Sequence, residues 1–363
     1  MQRLAVSFVL AARDNNLTAA ESSAAALMVG QAYRTAMADF ATKTDLDTWY
    51  ARIAVDDVLA LARQEGVGDE KRMSKVAAKA RTRGAWSAIA KMTGVVDGQR
   101  RFLDLPPLLM PAEWSGDAKD IVLNVIDGYR KTLPHDRQRL LLRYHGIDMA
   151  HKVVGVGSVG LLAFVVLMQG RDENDLLVLQ AKQAVDSVLE PFTAPSAYSK
   201  AGERVVAGQQ LMQAASDIFL GWVRGPAGRD YYIRQLRDMK YAPDASTMDG
   251  KTLRAYAALC GSTLARAHAR GGDSVAISAY LGTSDKFDRA VHDFSHAYAD
   301  QVATDFAAYT AAIADGRVSL GDQAEEATYQ LVINKTDGIK VTARSAAPAD
   351  PVPADAAPAD PPA

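Results

Sequence analysis

The chain has 363 residues, enough for about two domains or lobes. Apolar residues make up 48 % and charged residues 23 %, which excludes a fibrous or wholly disordered chain. Lys and Arg total 41 against 43 Asp and Glu, and that near balance argues against a globally basic nucleic-acid binder.

The opening stretch is apolar at once, with Leu4, Val6, Phe8, Val9 and Leu10. Chain starts are usually polar and loose. Thr18 and Glu21 have capping-box spacing and predict a helix running to Phe40. Asp45 to Arg63 predicts an amphipathic helix through Trp49, Ile53, Val58 and Leu61, with Gly66 as its C-terminal cap. Asp69 to Met92 predicts a basic helix carrying Lys71, Arg72, Lys75, Lys79, Arg81 and Arg83. Without interleaved aromatics it reads as a solvated face rather than a phosphate-binding one. The prolines within Asp104 to Pro111 predict an extended break, and helices resume over Asp117 to Lys131 and Asp136 to Tyr144. Residues 1–150 are therefore expected to form a helical region.

The pattern changes near His151. Lys152 to Gly157, Leu161 to Met168 and Leu176 to Lys182 are short apolar runs separated by polar turns, which predict antiparallel strands. A helix is expected through Glu203 to Ala215. Two more strands are expected at Asp217 to Val223 and Tyr231 to Leu236. Residues 151–240 thus read as a small sheet-containing lobe. The helical period returns from Lys251 to Ala269 and from Asp285 to Ala314, so residues 241–335 read as a second helical region. From Ser345 onward only Ser, Ala, Pro, Asp and one Val occur, and residues 336–363 are expected to be a disordered tail.

Gly155-Val156-Gly157-Ser158-Val159-Gly160 has the Gly-x-Gly-x-x-Gly spacing. Glycines let a backbone turn sharply and approach phosphates. In a dinucleotide fold they open a helix, and an acidic residue follows about 20 positions on. In a kinase-type fold they cap a hairpin, and a Lys on the next strand reaches the phosphates. Leu161 to Leu167 is apolar on every face, which fits strand better than surface helix. That argues against the dinucleotide alternative, for which Asp175 or Asp186 would be the acidic residue. Lys182 ends the next apolar run, where a phosphate-binding lysine would stand, and Glu190 and Glu203 are the candidates to hold its ammonium. The competing reading is a tight hairpin with a solvated lysine.

Other features read as structural. Cys260, in Leu-Cys-Gly, is expected to be a small buried hydrophobe, and as the single cysteine it excludes an internal disulfide. His268 and Asp273 read as a helix terminus, with an acid–base pair as the alternative. His292 and His296 stand one turn apart but lack the further ligands a metal needs. Arg234 to Lys240 is either a cleft wall or a strand end. No secretory signal is evident, and the longest strongly apolar run is about ten residues where a membrane span needs about 20. A cytoplasmic protein with no membrane partner and no nucleic-acid partner is expected.

Several stretches together resemble the bacterial domain-of-unknown-function family 2252. They include Arg3 to Phe8, Lys152 to Gly160, Leu179 to Lys182, Ser187 to Glu190, Arg204 to Gln209, Gln213 to Asp217, Arg229 to Leu236 and Leu264 to Ala269. The resemblance covers most of residues 1 to 320. It implies a relative of the aminoglycoside-phosphotransferase and protein-kinase fold with its motifs in permuted order. Gly155, Gly157, Ser158 and Gly160 would then cover the phosphates of a nucleotide, and Lys182 would contact them, held by Glu190. Leu264 to Ala269 would pack beneath the catalytic loop. The implied cofactors are ATP and magnesium, and the acceptor substrate is unknown.

The family's Gly-Asp-x-His-x-x-Asn and Asn-Asp-Phe-Asp-Glu runs, which look like a catalytic loop and a metal-binding aspartate, do not occur in this sequence. Either the chain is part of a longer protein, or it is a nucleotide-binding pseudoenzyme. No catalytic or metal-ligating residue is therefore assigned. The expected architecture is α+β and kinase-like, mostly helical with a small antiparallel sheet lobe. The expected function is that of a catalytically incomplete phosphotransferase relative. The alternative is a non-catalytic nucleotide-binding or protein-interaction module.

Overall fold

The computed structural model describes residues 1–52, 86–106, 108–112, 114, 116–153, 155, 160–236, 244–318, 329–334 and 338–343. Residues 53–63 and 69–85 of the two predicted helices, and the Ala/Pro/Asp tail, lie outside these residues, as do Gly157, Ser158 and Arg237 to Lys240.

Helices α1 (Gln2–Asp14) and α2 (Ala19–Phe40) open the chain. The predicted capping box forms. Thr18 Oγ1 accepts the Glu21 N–H, and the Glu21 carboxylate accepts the Thr18 N–H at 2.9 Å. The apolar start is explained by packing, since Ala5, Phe8 and Ala12 lie buried against α2 and later helices. Two short helices, α3 (Asp45–Tyr50) and α4 (Trp86–Met92), precede the hairpin of β1 (Thr93–Val96) and β2 (Gln99–Phe102). After β3 (Leu109–Pro111) come α5 (Gly116–Arg130) and α6 (His135–Leu141), both as expected.

Strands β4 (His145–Lys152), β5 (Ala163–Gln169) and β6 (Leu176–Ala184) follow, then α7 (Ala201–Met212), β7 (Gly221–Arg224) and β8 (Asp230–Gln235). They join β3 in a six-stranded sheet of order β3-β4-β5-β6-β8-β7, antiparallel throughout. The chain then returns to helix in α8 (Gly250–Gly271), α9 (Ser274–Leu281) and α10 (Lys286–Ala314). A separate hairpin, β9 (Tyr329–Asn334) with β10 (Gly338–Ala343), closes the described part. The architecture is α+β. Among the described residues no helix is long and apolar enough to cross a membrane.

Four expectations are corrected. Residues 1–150 are not uniformly helical, because β1 to β4 fall among them. Asp97-Gly98 is a hairpin signal whose residues both adopt positive φ, 51° and 73°, and it closes β1 on β2. The strand expected to begin at Lys152 instead ends there. A register shift between Gly146 and Asp148 and a buried carboxylate at Asp148 disguise its alternation. The expected helical region 241–335 also contains β9, and β10 falls within the expected tail. The short helix α9 was not anticipated.

The sheet buries both faces. Leu177, Leu179, Phe164, Val166 and Met149 face α5, against Val122 and Tyr129. Val178, Val165, Leu167 and Ala150 lie on the other face, with Leu109, Phe102 and Ile89. A separate core joins α1 and α2 to α8 and α10 through Val29, Leu253, Ala257 and Val291.

Candidate functional site

The glycine segment joins β4 to β5, so it lies at a hairpin end and not at the start of a helix. That rejects the dinucleotide geometry. Gly155 has φ 117° and Gly160 has φ 79°, and a Cβ at either would meet no atom within 4 Å. Glycine is therefore demanded there by backbone conformation and not by crowding.

Lys182 stands on β6, opposite Ala163 of β5 and Tyr232 of β8. Strand alternation places it with Gln180 and Val178, on the face away from α5. Ala163 follows the glycine segment closely, so Lys182 lies in the row of residues nearest that segment. On β8, Tyr232 and Arg234 share the same face. Gln180, opposite Arg234, is only 3 % exposed. The centre of an otherwise apolar face thus carries Gln180, Lys182, Tyr232 and Arg234. Burial raises the Tyr232 phenol above its ordinary value, and Arg234 nearby opposes that shift.

Glu190 lies in a one-turn 3₁₀ segment, and its Oε1 accepts the Ser196 N–H at 3.3 Å. That bond shapes the loop before α7. Glu203 stands in the first turn of α7, which packs on β6, β7 and β8. The helix is seated tightly. The Asp230 carboxylate accepts the Ala201 N–H at 2.8 Å, satisfying one orphan donor of the helix start. Arg204 donates to the Val185 carbonyl at 2.6 Å. Asp217 ties the turn before β7 to the end of β8, since its Oδ1 accepts the Phe219 N–H and its Oδ2 the Gln235 N–H. Asp217 and Asp230 were not singled out as anchors, although both lie in stretches that carry the family resemblance.

The remaining candidates are structural. Tyr33 Oη meets His268 Nδ1 at 2.8 Å across α2 and α8, while Asp273 caps α9 by accepting the Ala276 N–H. They take separate partners, so the acid–base alternative falls. Burial holds the His268 imidazole below its usual range. His292 Nε2 meets Ser23 Oγ at 2.8 Å, and its Nδ1 meets Asp293 at 2.8 Å. That chain has nucleophile–base–carboxylate connectivity. Ser23 stands inside α2, however, where neighbouring N–H groups are taken by the helix and none is left to form an oxyanion hole. Among the described residues no group of three His, Cys, Asp or Glu is placed to hold a metal. Cys260 is half-buried in the helical core, and burial pushes its thiol up, away from a reactive thiolate.

A small apolar cavity lies between α5 and the sheet, lined by Val125, Phe164, Leu179 and Pro226 among others. It opens on the face opposite Lys182. Cavity and cationic strip therefore do not coincide.

Residues 1–312 match the family model described as an uncharacterized protein conserved in bacteria, DUF2252. The chain belongs to that family. The match covers both the helical core and the sheet, including the glycine segment, Lys182 and Arg234. No curated protein and no solved structure gives a significant match to this DUF2252 chain.

Proposed function

We propose that this DUF2252 protein binds a nucleotide, with its phosphates beneath the Gly155–Gly160 segment and against Lys182, in the manner of ATP-dependent phosphotransferases. One arrangement carries the reading. A glycine-bearing hairpin is followed by a lysine on the next strand of the same sheet, and then by a helix anchored to that sheet. Kinase-type sites use those parts in that order. The two positive-φ glycines leave room for phosphate oxygens, and a lysine supplies a point charge for them.

The same residues set the limits of the reading. Transfer needs a group that orients the acceptor and a metal that neutralises charge. No run of the catalytic-loop or metal-binding kind occurs in the sequence. The proposal is therefore for binding, with any magnesium held by the nucleotide's own phosphates. Glu190 and Glu203 are the two candidate carboxylates for the Lys182 ammonium, and the Glu190 Oε1 also accepts the Ser196 N–H.

Thermal unfolding with magnesium-ATP tests this. Saturation a hundredfold above the dissociation constant stabilises a protein by about 2.7 kcal/mol, a shift of several degrees for a chain of this size. The shift is expected in the wild type and lost in Lys182→Ala. No shift in the wild type at millimolar ATP would sink the nucleotide reading.

A further inference from the structure

The long helix α10 is covered along its first half alone. Its buried residues are Asp288, Val291, Ser295 and Ala299, in the half that packs on α1 and α2. Arg13, in the last turn of α1, meets Asp300 at 2.7 Å, and burial along α10 ends one residue earlier. The helix then runs on for about four turns, to Ala314, and no residue of that stretch is buried. The apolar line nevertheless continues. Val302, Phe306, Tyr309 and Ile313 follow at alternating steps of four and three, on the face that carries Val291, Ser295 and Ala299. Phe306 is 65 % exposed and Tyr309 49 %. An interface built with α1 and α2 thus extends past them with nothing among the described residues to cover it.

The chemistry of this stretch says what covers it. From Gln301 to Ala314 the one charged side chain is Asp305, and alanine fills most of the flanks. A helix surrounded by water normally carries polar groups over the rest of its surface. Here the few polar side chains are served within the helix. The Thr304 hydroxyl donates to the Asp300 carbonyl at 3.0 Å and Thr310 to the Ala307 carbonyl at 2.9 Å, while Asp305 accepts from Gln301 at 2.7 Å. The face can therefore leave water without stranding a donor. The pattern is also its own complement. Two such helices laid antiparallel, about a two-fold axis between Phe306 and Tyr309, set Phe306 of one copy against Tyr309 of the other and Val302 against Ile313. Asp305 then meets neutral Thr310, whereas a parallel pair would bring Asp305 near its own copy. The chain that follows offers no matching stripe, since residues 319–328 and 344–363 hold Leu320 and Val352 as their only large aliphatic or aromatic residues. We propose that the second half of α10 is a self-association surface, through which two copies of this chain pair as antiparallel helices.

Sedimentation of the 363-residue chain from about 1 to 100 μM tests this. The wild type should pass from monomer to dimer within that range. Phe306→Glu and Tyr309→Lys should each weaken dimerisation by about thirtyfold or more, as the loss of a central aromatic anchor does. Both positions are exposed on the single chain, so each variant should fold, which circular dichroism checks. Ala311→Glu, on the opposite side of the helix, should dimerise like the wild type. Mixing the two weakened variants then decides the geometry. In the antiparallel pair the introduced acid of one faces the introduced base of the other, and the remaining Tyr309 and Phe306 still meet. The mixture should therefore dimerise although neither variant does alone. A mixture that stays monomeric overturns the antiparallel arrangement. Wild-type dimerisation of both single variants places the contact on another surface and overturns the proposal. So does a wild type that is monomeric throughout the range. A lower melting temperature of Phe306→Glu in that case would assign the stripe to another segment of the same chain.

Discussion

Asp148 holds one hairpin to the main sheet through a carboxylate that is only 3 % exposed. Its Oδ2 accepts the Phe102 N–H at 2.7 Å, and the Arg101 guanidinium stands 3.7 Å away while donating to the Ile147 carbonyl. Burial outweighs these partners and raises the carboxyl above its ordinary value. A raised acid contributes stability that is full below its unfolded value and lost as pH rises through the folded one. Its ionisation at neutrality therefore opposes folding, although its oxygen is needed by Phe102. Asp148→Asn keeps an acceptor without the charge and should match or slightly exceed wild-type stability at pH 7. Asp148→Ala strands the Phe102 N–H and should lose about 1–3 kcal/mol. Denaturant unfolding of the two variants checks this, and equal destabilisation of both would contradict it. An aspartate inside a strand reads from sequence as a solvent-facing residue, and for that reason β4 was obscured. The Thr18–Glu21 cap was legible because it is a local device whose partners stand three residues apart.

At the scale of elements, α7 is seated closely on the sheet. The helix can approach because Gly202 lacks a side chain. A Cβ there would fall 2.6 Å from the Tyr231 carbonyl oxygen and 3.2 Å from Trp222 Cβ. A strand carbonyl cannot step aside, so the helix would have to lift. Gly202→Ala should therefore cost about 1–3 kcal/mol despite the better helix propensity of alanine. It should also weaken ligand stabilisation more than a surface change such as Gln210→Ala. Thermal unfolding with and without nucleotide measures both effects, and a stabilised Gly202→Ala would refute the close-approach argument. Strands β5, β6, β7 and β8 were legible because apolar runs alternate with polar turns. Their order in the sheet, which brings Arg234 beside Lys182's row, was not. Pairing between β6 and β8 depends on residues some 50 positions apart.

Across the whole molecule, the two cores draw on different parts of the chain. The sheet's apolar clusters use residues from Ile89 to Leu236. The helical clusters combine residues 1–51 with residues from 248 onward. Their junction includes a well-buried ion pair, in which Arg34 grips Asp288 of α10 with both Nε and Nη2 across 254 positions. The kinase-like reading rested on the middle part, where signals are local. The partnership of α1 and α2 with α8 and α10 is long-range, and no periodicity announces which amphipathic helices will meet.

That division sets an order of events on the ribosome. The helices made first, α1 and α2, complete the burial of Phe8, Val29 and Tyr33 against segments made last. They must wait, apolar faces partly uncovered, while the sheet is completed between them. Domains form as units during synthesis, and uncovered apolar surface is what chaperones hold. Nascent chains stalled once residue 244 has emerged from the ribosome should therefore show a protease-resistant sheet beside a cleavable α2. Release of α8 to α10 should then protect α2. Protection of α2 in the stalled chain would mean that the helical core closes without its late-made half.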